Sequence, residues 1–356
     1  MKPGELLAAQ GVTVRFRRGR GREAREHEAL AAVDFGVGAG EIVGLVGESG
    51  CGKSTLARVL AGLLIPEHGT VTLGGRPVNE LAGAARRRFR RSVRLIFQSP
   101  DAVLNRALRV GELLADVVRA QTDGDRAGRR RRVAELLDEV RLEPRLAERF
   151  PGELSGGQKR RVGIAVALAG APAVLLADEP LAGLDAPVQL EILALLRRLH
   201  DERSLAVVLI SHDIGAVQAL CSRVVTMLGG RIVESRPRRE GFSGLADTCH
   251  PYTAGLLAAD RAVDQRAAAG GAGTRALGAA ELAMIDALQR DTPADLVPGQ
   301  GCALLQRCHR YEVLGSEAQR RRCEEEAPRL WPLAADHQVA CHHVPVMATA
   351  GGAPRS

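Results

Sequence analysis

Apolar and polar positions change rhythm several times along the chain, and each change predicts an element. Residues 41–64, EIVGLVGESGCGKSTLARVLAGLL, open with the short apolar run Ile42 to Val46. That run suits a buried strand. Gly47 to Gly52 is a glycine-rich turn, and from Lys53 onward Leu56, Val59, Leu60 and Leu63 recur at helical spacing. Strand, turn and helix therefore follow one another directly. Similar apolar runs predict strands at 93–97 (VRLIF), 173–177 (AVLLA), 205–210 (LAVVLI) and 223–228 (RVVTML), and helical patterns fall at 109–120, 127–140, 156–169, 187–200 and 213–221. Strands alternating with helices imply a largely parallel sheet covered on both faces.

The pattern weakens near the C-terminus. Residues 261–280, rich in alanine and glycine without a large apolar face, read as a linker, with a domain boundary at about 240–260 and a small cysteine-bearing unit beyond. The longest uncharged apolar stretch, Val162 to Ala177, contains Gly170 and Pro172, so it reads as a helix end, a turn and a buried strand rather than a membrane span. The start, MKPGELLAAQG, shows no signal-peptide pattern. A cytosolic protein that meets membranes only through partners is the expectation.

With 46% hydrophobic and 26% charged residues over 356 positions, the chain is a globular protein, and disorder throughout is excluded. A net charge of +7 is modest for this length and permits an anionic partner without requiring one. One Trp, two Tyr and six Phe leave little material for a base-stacking surface, so no direct nucleic-acid binding is expected. The arginine runs 15–25, 86–94 and 129–132 then read as solvated faces. Only three basic residues are lysine: Lys2, Lys53 and Lys159.

Lys53 stands in Gly47-Glu48-Ser49-Gly50-Cys51-Gly52-Lys53-Ser54, which fits G-x-x-x-x-G-K-[ST]. Glycines let consecutive N–H groups turn toward phosphate oxygens, and the helix that follows adds the positive end of its dipole. Lys53 would reach the β and γ phosphates and Ser54 would offer its hydroxyl to Mg²⁺; Thr55 follows in the same turn. Cys51 more simply fills a small-residue position. At Ala173-Val174-Leu175-Leu176-Ala177-Asp178-Glu179 an apolar strand delivers two adjacent carboxylates. Asp178 suits the oxygen shell of Mg²⁺, and Glu179 suits the orienting or deprotonation of an attacking water.

Leu154-Ser155-Gly156-Gly157-Gln158 resembles the signature of ATP-binding cassette (ABC) proteins. Gln98 in LIFQSP resembles the Q-loop, Leu184-Asp185 the D-loop, and His212 in ISHD the switch histidine, in the order that family shows. The resemblance covers about residues 5 to 240. It implies an α/β P-loop NTPase cassette with a RecA-like parallel-sheet core, an antiparallel β subdomain and an α-helical subdomain at about 100–155. The expected division is a nucleotide-binding domain over 1–245 and a linker with a small cysteine-containing C-terminal extension over 246–356.

For the residues, the resemblance implies that Gly47, Glu48, Ser49, Gly50, Cys51, Gly52, Lys53, Ser54 and Thr55 surround ATP and that Phe16 stacks on adenine. Ser54, Gln98 and Asp178 would serve Mg²⁺. Glu179, His212 and Gln98 would act in hydrolysis. Ser155, Gly156, Gly157 and Gln158 would close on ATP held by a second cassette, with Asp185 linking the two sites. A lone Phe at a strand end is as often core, and the insertion RRGRGREAREHE after Phe16 departs from shorter members.

His250-Pro251-Tyr252-Thr253 and the cysteine-bearing extension resemble ATP-binding subunits of oligopeptide, dipeptide and nickel importers, although Asn105-Arg106 replaces the usual Asn-Pro. The implied assembly has two transmembrane permease subunits, a second ABC ATPase (a paralogue rather than a self-copy) and an extracytoplasmic solute-binding protein. It lies at the cytoplasmic face of the cell membrane, held there by the permeases. The other class in view is a non-transport ABC ATPase in a soluble enzyme or nucleic-acid complex. Cys302, Cys308, Cys323 and Cys341, spaced C-x5-C-x14-C-x17-C, leave three readings: a 4Fe-4S cluster, which the related extensions imply, zinc, or unligated thiols.

Overall fold

A computed structural model of the chain describes residues 4–18, 25–121, 125–238, 250–267, 284–286, 301–334 and 337–343. Cys249, residues 268–280 of the expected linker and much of the expected boundary at 240–260 lie outside them. Two compact units interleave in sequence: residues 1–12, 34–44 and 53–211 form one, and residues 13–33, 45–52 and 212–356 the other.

In the first unit, β7 (Val174–Asp178) pairs in parallel with β6 (Val93–Ile96) on one side and β8 (Ala206–Ile210) on the other. The first half of β3 (Ile42–Gly47) follows β8 in the strand order. Every residue of β7 and β8 is buried, which explains why these strands are continuous apolar runs without alternation. Helix α1 (Lys53–Leu60) packs on β6 and β7, burying Leu56, Ala57, Val59 and Leu60 from one face. Burying each of those Leu or Val side chains contributes roughly 1.5–3 kcal/mol.

A second sheet has the order β2-β1-β4-β5, formed by β1 (Glu5–Arg18), β2 (Arg25–Gly38), β4 (His68–Leu73) and β5 (Arg76–Pro77), with β4 and β5 antiparallel. After the amphipathic helix α2 (Gly83–Ser92), the stretch from Pro100 to Glu153 is entirely helical in its regular elements. It includes α3 (Val110–Gln121) and α4 (Arg126–Glu139), the latter started by Asp125, whose carboxylate accepts the Gly128 N–H at 2.8 Å. Next come α5 (Gly156–Leu168) and α6 (Ala186–Arg203); α6 turns its Ile192, Leu195, Leu196 and Leu199 inward.

In the second unit, the far half of β3 is followed by β9 (Arg223–Leu228), β10 (Arg231–Pro237), β12 (His337–Val339) and β11 (Trp331–Ala334). The pairs β9–β10, β10–β12 and β11–β12 are antiparallel. Strand β12 comes from the cysteine-bearing segment, so the C-terminal residues extend a sheet that β9 and β10 begin. Helix α7 (Ile214–Leu220) packs on α8 (Pro251–Ala267), and α8 makes the first seven residues of the expected linker helical. Leu228, Val233, Tyr252 and Leu304 form a small buried core here, with Cys302 and Cys308 against it. Among the described residues no helix is long and apolar enough to cross a membrane.

Candidate functional site

The phosphate loop runs from the end of β3 to the start of α1. Gly47 and Gly52 have φ of +151° and +109°, and a Cβ at either would overlap a carbonyl oxygen, that of Met227 or of Ala29. Glycine is required twice over at each. The turn is closed by the Cys51 N–H donating to the Glu48 carbonyl at 3.3 Å, and the Cys51 carbonyl accepts the Gly230 N–H at 3.0 Å. Cys51 is buried, in keeping with a small space-filling residue; Ser49 and Gly50 are exposed. Lys53 is buried at the first position of α1, and Ser54 and Thr55 are half-buried behind it.

Ser54 Oγ donates to Asp178 Oδ1 at 3.0 Å. The structure thus joins the loop's hydroxyl to the strand-end carboxylate that sequence placed in the same Mg²⁺ shell. Asp178 is 6% exposed, and burial raises its pKa above the usual aspartate range, opposed by the Ser54 hydrogen bond and reinforced by the neighbouring Glu179 charge. A buried carboxylate beside a hydroxyl, both oxygen donors, fits a hard divalent cation. Glu179, half-buried, sits in the left-handed region at φ 48°, held by its N–H donating to the Ile210 carbonyl at 3.0 Å. That conformation is costly for a residue with a Cβ and turns the chain sharply just past β7.

Ser155 caps α5. Its hydroxyl accepts the Gln158 N–H at 3.2 Å while Gln158 Oε1 accepts the Ser155 N–H at 3.0 Å, a reciprocal capping box that fixes how the helix begins. Ser155 and Gly156 are exposed and Gly157 is half-buried, so this helix end faces outward. A Cβ on Gly157 would come within 2.7 Å of Val188 Cγ1. Gln98 is exposed just after β6, and Asp185 is exposed at the cap position of α6.

Sequence reasoning passed over Arg160. It is 3% exposed and donates to the Phe97 carbonyl at 3.0 Å and to the Ala182 carbonyl at 3.4 Å, tying α5 to the residue before Gln98 and to the turn before Asp185. One arginine among so many gave no signal; only its burial marks it.

In the second unit, His212 is exposed just beyond β8, followed by Asp213, whose carboxylate caps α7 through the Ala216 N–H at 2.8 Å. Phe16 is 42% exposed on β1, so it is a surface aromatic rather than core. The HPYT segment is buried. His250, 1% exposed, has its pKa lowered to about 3 by burial and by Arg310, and its Nδ1 accepts the Tyr252 N–H at 3.2 Å.

The four clustered cysteines are free thiols. Burial pushes Cys302 to about 12 and Cys323 to about 11, with the neighbouring thiols adding to the rise in both. The Cys302 N–H donates to the Cys323 carbonyl at 2.8 Å, and Cys323 Sγ lies 3.2 Å from His343 Nε2. The donors are of the right chemistry for a soft metal, and they are near enough to influence one another. Among the described residues, however, no three His, Cys, Asp or Glu side chains are disposed to hold one metal ion.

Residues 30–182 match the family described as ABC transporter. Over 314 residues, 88% of this chain and 82% of the relative, the chain is 38% identical to a probable peptide ABC transporter ATP-binding protein, y4tS, of Sinorhizobium fredii. It is 34% identical over 340 residues, 95% of this chain and 97% of the relative, to the di/tripeptide transport ATP-binding protein DppF of Pseudomonas aeruginosa. It is 45% identical over 210 residues, 59% of this chain and 77% of the relative, to the nickel import ATP-binding protein NikE of Pseudomonas putida. Among solved structures, the ATP-binding cassette MJ0796, a dimer in a post-hydrolysis state bound to ADP and Pi, matches with a TM-score of 0.59 and 30% identity, covering 66% of this chain and all (100%) of that one. A phosphate loop joined to a strand-end carboxylate, an outward-facing capped signature helix and these relatives lead to one conclusion: the chain belongs to the ABC transporter family, as one of its ATP-hydrolysing cassettes.

Proposed function

We propose that the chain drives an importer of peptides, with a nickel complex as the other solute class its relatives represent. The observation that supports the enzymatic part is the Ser54–Asp178 contact, which brings a hydroxyl and a buried carboxylate, both hard-cation donors, together within one unit. In this reading, the backbone of residues 47–55 and Lys53 hold the ATP phosphates, and Phe16 stacks on adenine. Ser54, Asp178 and Gln98 would hold Mg²⁺, which would supply positive charge to offset the phosphates. Glu179 takes the proton of the attacking water, and His212 and Gln98 orient the γ-phosphate and that water.

Ser155 and the N–H groups of Gly156 and Gly157 present a helix N-terminus to ATP held by a second cassette, with Asp185 and Gln158 at the same junction. ATP contacts made only in the closed pair favour closure, and hydrolysis removes them. The second cassette is a paralogue in this reading. The pair docks at the cytoplasmic face of the membrane on two permease subunits, near Gln98 and the helices of 100–150, and an extracytoplasmic binding protein delivers solute. The domain division at about residue 245 belongs to the same reading.

The assembly is tested by affinity purification from membranes. Integral permeases and a paralogous cassette should co-purify, and vesicles reconstituted from them should take up labelled dipeptide in an ATP-dependent manner. Recovery with soluble enzymes or nucleic acid alone would overturn the transport reading. A 4Fe-4S cluster on Cys302, Cys308, Cys323 and Cys341 rests on the spacing of these thiols and the resemblance of the extension, not on their placement, which disposes no three of them around one metal ion. Anaerobically purified protein should then contain about four iron and four sulfide per chain; zinc or no metal would overturn that part.

A further inference from the structure

The phosphate loop is braced from below by the C-terminal part of the chain. The Glu48 N–H donates to Tyr252 Oη at 2.8 Å, across 204 residues of sequence. The Glu48 carboxylate lies 2.7 Å from Arg307 Nη1, and Arg307 is 6% exposed, in the short turn between Cys302 and Cys308. Tyr252 is itself fully buried (0% exposed), so its hydroxyl has a fixed position. Behind it the bonding continues. Tyr252 N–H donates to His250 Nδ1 at 3.2 Å, His250 N–H donates to Glu234 Oε2 at 3.0 Å, and Glu234 Oε1 lies 2.8 Å from Nε2 of His337 on β12. Glu234 and His250 are both buried, at 0% and 1% exposure. An unbroken chain of polar contacts thus runs from β12 of the extension to the second residue of the loop.

The chemistry of Glu48 makes that brace necessary. A carboxylate on the shoulder of an anion-binding loop repels the phosphates that the loop must accept, and the buried guanidinium of Arg307 offsets that charge at close range. The Glu48 carbonyl also closes the turn by accepting the Cys51 N–H, so a shift of Glu48 alters the backbone that faces the phosphates.

The structure assigns Tyr252 and Arg307 as positioning residues for the phosphate loop, through which the HPYT segment and the cysteine-bearing extension set the affinity of the loop for ATP. The assignment rests on residues 47–54 being the ATP phosphate loop. Lys53→Ala tests that premise separately, because its loss of ATP binding reports the loop itself.

The brace is read in the full-length protein by steady-state ATPase activity and by titration with a fluorescent ATP analogue, with folding followed by thermal melting. Arg307→Met should raise the KM for ATP and the analogue Kd about tenfold, with kcat at saturating ATP within about twofold of the parent. Adding Glu48→Gln to Arg307→Met should bring KM back to within about threefold, because the carboxylate charge beside the phosphates is then removed. Tyr252→Phe should raise KM about threefold without a matching fall in kcat. Should Arg307→Met fail to fold, Arg307→Lys, which keeps the charge, and the reversed pair Glu48→Arg with Arg307→Glu read the same contact. An unchanged KM in folded Arg307→Met, no recovery on adding Glu48→Gln, or a loss confined to kcat would overturn the assignment.

Discussion

Three side chains can each be tested by a single substitution. Glu179 stands at a left-handed kink directly after the strand that delivers Asp178, so its position is set by backbone and survives a change of carboxylate to amide. Glu179→Gln should bind ATP as the parent does and lose at least about a hundredfold in turnover, checked by single-turnover hydrolysis beside an ATP titration. In the proposed site Asp178 would have to be ionised to hold Mg²⁺, and burial raises its pKa. Magnesium affinity of the nucleotide-free protein should therefore fall on acidification at a pH above that of an ordinary aspartate. Magnesium titrations across pH 4 to 7 check this, with Asp178→Asn lacking the transition. His250 works in the opposite sense. Its folded pKa of about 3 lies below the ordinary 6.5, so between those values the unfolded chain takes up a proton that the folded chain refuses. Stability is complete above the upper value and is lost as pH falls toward the lower one. Thermal melts at pH 7.5 and 5 should show a smaller acid loss for His250→Asn, which keeps an acceptor near the place of Nδ1.

At the scale of elements, legibility followed environment. The strands β3, β6, β7, β8 and β9 and the helices α1, α3, α4, α5, α6 and α7 were readable because each is an apolar run or a periodic face packed on both sides or along one stripe. The strands β1, β2, β4, β5, β10, β11 and β12 were not. Strand β10, for example, buries Glu234, Ser235 and Arg236 in a row, so its residues look polar while its position is core. Only partners distant in sequence make those groups tolerable. Helix α5 shows a local signal reused: Ser-x-x-Gln reads as a capping box in any helix, and here it fixes the outward-facing end that the proposed function places over ATP. Ser155→Arg should put a bulky cation there, lowering ATP hydrolysis by a homodimer at least about tenfold while ATP binding to the chain's own loop persists. Hydrolysis at the parent rate would argue against the shared site. Equilibrium binding and turnover, measured on the same preparation, separate the two.

Across the whole molecule, the proposed pairing would make ATP the ligand that joins two cassettes. Glu179→Gln, mixed with the paralogous cassette, should migrate with it as a dimer in size-exclusion chromatography with ATP and as separate monomers without it. The candidate phosphate loop, strand-end carboxylates and signature could be picked out from sequence alone, because each depends on a few consecutive residues whose backbone conformation and charge are local properties. Lys53 could even be singled out as one of three lysines among 49 basic residues. The tertiary structure alone decided which distant groups share a contact. It brought Tyr252 and Arg307 to Glu48, buried Arg160 between two carbonyls and drew β12 onto β10. Such pairings arise because a buried charge or donor must find a partner wherever the chain passes, and no spacing in the sequence records where that is.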